Sequence, residues 1–135
     1  MGEPSLMALV SGGRAELRID QGDTELAFPE LDRAFRLAEL AGDVIGVAEV
    51  RRIRAVAALK DGRSSTALEE AETARTIAQE HGVALLKAEC AGISALAQRA
   101  LGQPEAAESR RAEAVEGYQE LGAVKLLERF LQEWS

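Results

Sequence analysis

Glycine recurs at intervals of twenty residues in this chain, and this spacing constrains the fold more than any other feature. The series contains six of the 12 glycines: Gly22, Gly42, Gly62, Gly82, Gly102 and Gly122. Because glycine adopts positive φ without steric cost, it commonly ends α-helices. A stop every twenty residues predicts helices of roughly 17 residues joined by short turns. A fixed period of this kind is typical of a helical repeat architecture.

Two successive helices form a repeating unit of 40 residues, a helical hairpin. The sequence predicts hairpins over about 5–41, 44–81 and 83–121 and a closing helix over 123–134, within a single domain 1–135. We call the first helix of each hairpin and the closing helix the A helices, and the second helix of each hairpin a B helix. The predicted fold is therefore all-α: an α-solenoid of about seven helices, in which each hairpin stacks on the next.

Alanine occupies equivalent positions in successive repeats. Small residues at positions seven apart lie on one helix face and mark the close approach of another helix. The B-helix columns are Ala27, Ala67 and Ala107, and Ala34, Ala74 and Ala114; the A-helix columns are Ala8, Ala48 and Ala88, and Ala15, Ala55 and Ala95. Val10, Val50 and Cys90 form a further column, so Cys90 is expected to be a small core residue.

Turn residues support the same helix boundaries, with one exception. The expected N-caps of the B helices are Asp23 or Thr24, Ser64 and Gln103. Pro104 suits a first helical turn. Pro29 falls inside the first B helix, where proline removes a hydrogen bond. We expect that helix either to be kinked or to begin near Pro29.

These columns resemble the tetratricopeptide repeat (TPR) family over nearly the whole chain. The small residue late in helix A matches Ala15, Ala55 and Ala95, and the turn glycine matches Gly22, Gly62 and Gly102, with the frequent following Asp present as Asp23. Both helix-B alanines match in all three repeats. The helix-A aromatic residues and the final proline of the family are missing, and the unit has 40 residues rather than about 34.

The resemblance is to long-armed, alanine-rich bacterial TPRs, such as those in large signalling ATPases, transcriptional activators and Ser/Thr kinases. It implies a right-handed solenoid with the A helices on its concave face. It also implies a protein–protein interaction module, a scaffold or sensor part of a larger bacterial protein in signalling or transcription regulation.

Composition excludes several other classes of protein. A formal charge of −7 argues against general nucleic-acid binding, which needs a basic surface. No apolar run approaches the ~18 residues of a membrane-spanning helix, so no membrane contact is expected. Cys90 is the only cysteine, which excludes an internal disulfide and fits a reducing cytoplasm. The predicted location is therefore cytoplasmic.

The sequence offers little for catalysis. His81 precedes Gly82 at the end of a B helix, where a polar or cationic side chain is favourable. One histidine and one cysteine cannot build a structural zinc site. Carboxylates spaced three or four apart form solvated helix faces, and no phosphate-binding loop is present. We expect no enzymatic activity, no metal and no cofactor. Tyr118 and Trp134 are expected to cover the last hairpin, with an exposed Trp134 that docks a neighbour as the alternative.

Charge separates the two layers, because the A helices carry a net positive and the B helices a net negative charge. Either the layers complement each other, or the A helices form a groove for an acidic partner. Arg51 and Arg54 are expected to pair with the B layer. Arg52 is the first choice for a partner carboxylate. The predicted partner-binding residues are apolar positions edged by cations: Arg52, Ile53, Val56, Leu59, Lys60, Ile93, Leu96 and Arg99.

The sequence therefore predicts a module that binds a partner peptide or helix, with acidic residues, in a groove lined by the A helices. The alternative is a self-association element that makes a homodimer.

Overall fold

A computed structural model describes residues 3–135, with side chains described from Gly12 onward. Within these residues all regular secondary structure is α-helical, and there is no strand. The seven helices are α1 (Glu3–Asp20), α2 (Thr24–Leu40), α3 (Val44–Lys60), α4 (Ser64–Glu80), α5 (Ala84–Ala100), α6 (Pro104–Leu121) and α7 (Val124–Trp134). The A helices are thus α1, α3, α5 and α7, and the B helices are α2, α4 and α6. No helix in the described part of the chain is long and apolar enough to span a membrane.

The six periodic glycines end helices as predicted. All have positive φ, between 67° and 87°. At the first turn the N–H of Gly22 donates to the Ile19 carbonyl (3.0 Å) and the N–H of Asp23 donates to the Arg18 carbonyl (2.8 Å). The same pair of bonds recurs at every later turn. These bonds satisfy carbonyls that a helix end leaves without partners. Each turn is therefore short, and the chain reverses direction there.

The helix starts differ from the sequence prediction at Ser64 and Pro29, and they show one further N-cap. Ser64 is the first helical residue of α4, and Arg63 is the N-cap. Asp43, which the sequence prediction did not name, caps α3 by accepting from the Gly46 N–H (2.8 Å). Helix α2 begins at Thr24 and continues through Pro29, so of the two alternatives for this helix the start near Pro29 is wrong.

Alanine forms much of the core, as the repeat columns predicted. The six B-helix alanines of these columns are 0% or 1% exposed, and Ala15, Ala48, Ala55, Ala88 and Ala95 are at most 2% exposed. Ala8 and Val10 lie outside the described side chains. Gly117 shows how close the helices are, because an added Cβ there would lie 2.9 Å from the Ala88 Cβ. Small side chains therefore allow α5 and α6 to approach each other closely.

The packing order places the A helices side by side. Each helix packs mainly on the helices next to it in sequence. In addition, α1 contacts α3, and α3 contacts α5. Closing helix α7 contacts α6 and places Phe130 over Gly92 of α5, where an added Cβ would lie 3.1 Å from the ring. The rings of Tyr118, Phe130 and Trp134 follow one another at 6.5 Å and 6.2 Å. Tyr118 and Trp134 therefore cover the last hairpin, as predicted.

A candidate binding groove between the A helices

A cavity of about 370 Å³ lies between the A helices, and we call it the groove. Its apolar lining comes from α3, α5 and α7, with Tyr118 of α6 behind them. The apolar lining residues are Val56, Leu59, Ile93, Leu96, Tyr118, Leu126 and Phe130. The charged lining residues are Glu16, Asp20, Arg52, Lys60, Glu89, Arg129 and Glu133. The groove therefore joins an apolar wall with a dense set of charges.

Six of the eight predicted site residues line this groove: Arg52, Val56, Leu59, Lys60, Ile93 and Leu96. Ile53 does not, because it is 5% exposed and packs in the core with Ile19 and Val50. Arg99 does not line it either. Its guanidinium stacks on the Trp134 ring, 4.2 Å from the centroid, and donates to the Trp134 carbonyl. Ile53 and Arg99 therefore make contacts within the chain and do not line the groove.

Arg52 lines the groove and lies among three carboxylates. Its Nη1 is 3.0 Å from Glu16 of α1 and 3.8 Å from Glu89 of α5, and its Nε is 3.3 Å from Glu49 of α3. We call these four residues the A-helix cluster. Burial opposes the charge on Arg52, but Glu89 and Glu16 outweigh it and raise the pKa of the guanidinium. The predicted anchor for a partner carboxylate therefore already has carboxylates within the chain.

The pKa of Glu89 reflects the excess of carboxylates over cations in this cluster. Burial raises the pKa of its carboxyl, nearby Glu49 and Glu16 raise it further, and Arg52 only partly offsets them. One guanidinium cannot neutralise three carboxylates. The cluster therefore keeps an excess of negative charge beside the apolar wall.

The other cations that line the groove are paired as well. Lys60 lies 4.0 Å from Asp20 and donates to the Ile19 carbonyl. Arg129 of α7 lies 3.4 Å from Asp20 and 3.3 Å from Glu133. Because each of these cations has a carboxylate partner, the lining is not the cationic edge that the sequence predicted.

Arg51 and Arg54 pair with the B layer, as predicted. Arg51 lies 3.3 Å from Glu70 of α4, and Arg54 lies 3.1 Å from Asp32 of α2. Both guanidinium groups also lie over the Phe35 ring. These pairs support electrostatic complementarity between the layers, which was one of the two interpretations of the charge separation.

A second ionic cluster joins α4 to α6, and we call it the B-helix cluster. Arg75 donates through two nitrogens to Glu113 (2.6 and 2.5 Å), and Arg110 likewise to Glu72 (3.0 and 2.7 Å). The buried Ser94 hydroxyl also donates to Glu72 (2.7 Å). Burial opposes ionisation of Glu72, but Arg110 and Ser94 lower the pKa of its carboxyl. Two cations here balance two carboxylates.

Cys90 and His81 occupy the structural positions expected for them. Cys90 is fully buried, and burial is the main cause that raises the pKa of its thiol to about 12. His81 is the exposed C-cap of α4. Among the described side chains no group of three His, Cys, Asp or Glu residues is placed to hold a metal ion.

The sequence prediction missed the carboxylates of the A-helix cluster and the contribution of α7 to the groove. A signal for the former existed, since Glu49 and Glu89 are one 40-residue unit apart. Glu16, Phe130 and Leu126 carry no such repeat signal, because they enter the groove only through the packing of helices distant in sequence.

No protein-family model, no curated protein and no solved structure matches this chain. The TPR resemblance therefore stays a prediction that rests on the repeat columns.

Proposed function

We propose that the chain is a right-handed TPR-like α-solenoid that binds a helix or an extended segment of a partner protein in the groove. The module would act in the cytoplasm as a scaffold or sensor part of a larger bacterial regulatory protein. The observation that carries this proposal is the groove itself, a cavity of about 370 Å³ with an apolar wall and a charged edge, bounded by four A helices. A concave site with an apolar wall and a few polar groups is the usual form of a binding site.

The wall of the groove suits side chains presented by one face of a partner segment. Val56, Leu59 and Leu96 are partly buried, so they retain apolar surface that a partner can cover. An amphipathic helix would place residues at i, i+3 and i+4 against such a wall, and an extended peptide would place alternate residues there. Burial of this surface would supply the main favourable term in binding.

Self-association is the second candidate, because apolar side chains are exposed away from the groove. Leu40 is 76% exposed, and Val44 and Ile45 beyond the same turn are 48% and 39% exposed. A pair of chains related by two-fold symmetry would cover the same patch on both copies. In that case the groove would not be the interface.

Leucine-to-glutamine variants test the groove directly. A random 16-residue peptide library would be selected on the immobilised chain, and the selected peptides would be measured by fluorescence anisotropy. We expect Leu59→Gln and Leu96→Gln to weaken binding at least about tenfold, because each removes apolar contact in the groove. The matched controls Leu17→Gln and Leu40→Gln change exposed leucines outside it and should leave binding unchanged.

The same variants separate the two candidates. If the peptides bind Leu59→Gln and Leu96→Gln as tightly as the unchanged chain, the groove is not the binding site. If the chain sediments as a dimer and only Leu40→Gln shifts it to monomer, self-association at the α2–α3 turn is the better assignment.

A further inference from the structure

From the charges around the groove we infer that the docking segment is basic as well as apolar, with a lysine or arginine that reaches Glu16 and Glu89. This inference rests on the proposed function and reverses the expectation of an acidic partner. It joins two observations: the apolar wall of the groove, and an ionic cluster beside it in which three carboxylates share one guanidinium.

The carboxylates of the A-helix cluster are more accessible than its cation. The Arg52 side chain is 11% exposed, whereas those of Glu16 and Glu89 are 44% and 22% exposed. Both glutamates line the groove. A partner carboxylate that approached Arg52 would therefore meet two like charges and would have to displace existing ion pairs. Like charges brought together in an interface oppose binding.

The remaining charges of the lining do not reverse this imbalance. Lys60 and Arg129 share Asp20, and Arg129 also pairs with Glu133. These residues add two cations and two carboxylates, which offset each other. The uncompensated negative charge therefore stays with the A-helix cluster, two of whose glutamates, Glu16 and Glu89, line the groove.

A basic residue on an apolar segment fits both halves of this site. The alkyl stem of a lysine or arginine packs on apolar surface while its charged end stays polar. In the groove the stem would lie along the aliphatic wall, and the ammonium or guanidinium group would meet Glu16 and Glu89. The added cation would compensate part of the excess negative charge, which is most favourable where burial reduces screening by water.

Three matched peptides test the charge preference. Each is a 16-residue amphipathic helix with the same leucine face, and the residues that flank this face are all lysine, all glutamine or all glutamate. We expect the lysine peptide to bind about tenfold more tightly than the glutamine peptide, and the glutamate peptide to bind most weakly. Binding would be measured by fluorescence anisotropy at fixed ionic strength.

Two double variants with equal charge changes separate the groove from general attraction to an acidic chain. Glu16→Gln with Glu89→Gln removes two charges in the groove. Glu69→Gln with Glu120→Gln removes two exposed charges from the B helices. The groove variant should lose about tenfold in affinity for the lysine peptide, and the control variant less than about twofold. Circular dichroism would establish that both variants remain helical.

Each contrary outcome has its own meaning. Equal losses in the two double variants would overturn the inference, because the attraction would then be general. Equal affinities for the lysine and glutamine peptides, both lowered by Leu96→Gln, would overturn it while leaving the proposed function in place. If none of the three peptides and no library peptide binds, the proposed function itself fails.

Discussion

The two ionic clusters of this chain use the same residue types and reach opposite electrostatic results. In the B-helix cluster, Arg75 and Arg110 each hold one glutamate through two nitrogens. In the A-helix cluster, Arg52 alone faces three glutamates. The pKa of Glu72 is lowered in the first cluster, and the pKa of Glu89 is raised in the second. The ratio of cations to carboxylates, rather than the presence of an ion pair, therefore decides what a cluster can do.

This difference assigns different roles to the clusters. A balanced and geometrically satisfied cluster fixes α4 against α6 and has little to gain from another charge. An unbalanced cluster beside the apolar wall of the groove gains from any cation that a partner brings. The B-helix cluster is therefore structural, whereas the A-helix cluster both joins α1, α3 and α5 and carries the inferred recognition charge.

The largest effect is expected from removing Arg52. Arg52→Gln removes the buried guanidinium that three carboxylates share and leaves those like charges facing one another, so it should lower the free energy of unfolding by about 3 kcal/mol. Arg110→Gln in the B-helix cluster should cost only about 1 kcal/mol, because Arg110 and Glu72 are more exposed to water than Arg52 is. Urea unfolding at pH 7, followed by circular dichroism, measures both.

A double variant sharpens this prediction. Adding Glu89→Gln to Arg52→Gln removes one of the repelling charges and should recover part of the lost stability. If Arg52→Gln and Arg110→Gln cost the same, or if Glu89→Gln gives no recovery, the two clusters do not differ as we describe.

Glu72→Gln and Glu89→Gln should change the stability of the chain at pH 7 in opposite directions, and both changes should shrink in acid. Glu72 has a lowered pKa in the folded chain, so its ionised form stabilises the fold above the unfolded pKa, and this contribution is lost as pH falls through the folded pKa. Glu89 has a raised pKa, so its ionised form destabilises the fold at neutral pH, and this penalty disappears as pH falls toward the ordinary value of 4.5.

Glu72→Gln should therefore be less stable than the unchanged chain at pH 7, and the gap should narrow in acid. Glu89→Gln should be the more stable chain at pH 7, and its advantage should shrink in acid. Urea unfolding between pH 3 and pH 7 checks both curves. The same sign for both variants would remove the electrostatic distinction between the clusters.

The helices could be predicted because they depend on residues close in sequence. The site was harder to predict because it depends on contacts between residues far apart in sequence. The glycine turns and alanine columns depend on residues close in sequence or repeated every 40 residues. The pairing of Arg52 with Glu16 joins residues 36 apart on different helices. Ile53 was assigned to the groove, but the actual rotation of α3 turns it into the core. Arg99 was assigned there as well, but it stacks on Trp134, whose position depends on α7 and not on the repeat period.

A small effect at neutral pH is expected at Cys90, a core residue whose thiol pKa is affected by charges of both clusters. Arg52 lowers the pKa of its thiol, Glu89 and Glu72 raise it, and burial dominates. Cys90→Val should change stability at pH 7 by less than about 1.5 kcal/mol, because buried Val50 occupies the same place in the preceding repeat.

The free energy of unfolding at alkaline pH provides a second test of Cys90→Val. The folded thiol keeps its proton to a pKa of about 12, whereas the unfolded thiol ionises near 9.0. The stability contributed by this raised pKa is complete below pH 9 and is lost as pH rises toward 12. At pH 10 the unchanged chain should therefore have lost about 1 kcal/mol that Cys90→Val retains. Urea unfolding at pH 7 and pH 10 measures this difference. Equal pH dependence in the two chains would mean that the thiol ionises equally in the folded and unfolded states, and Cys90 could not then lie in the core.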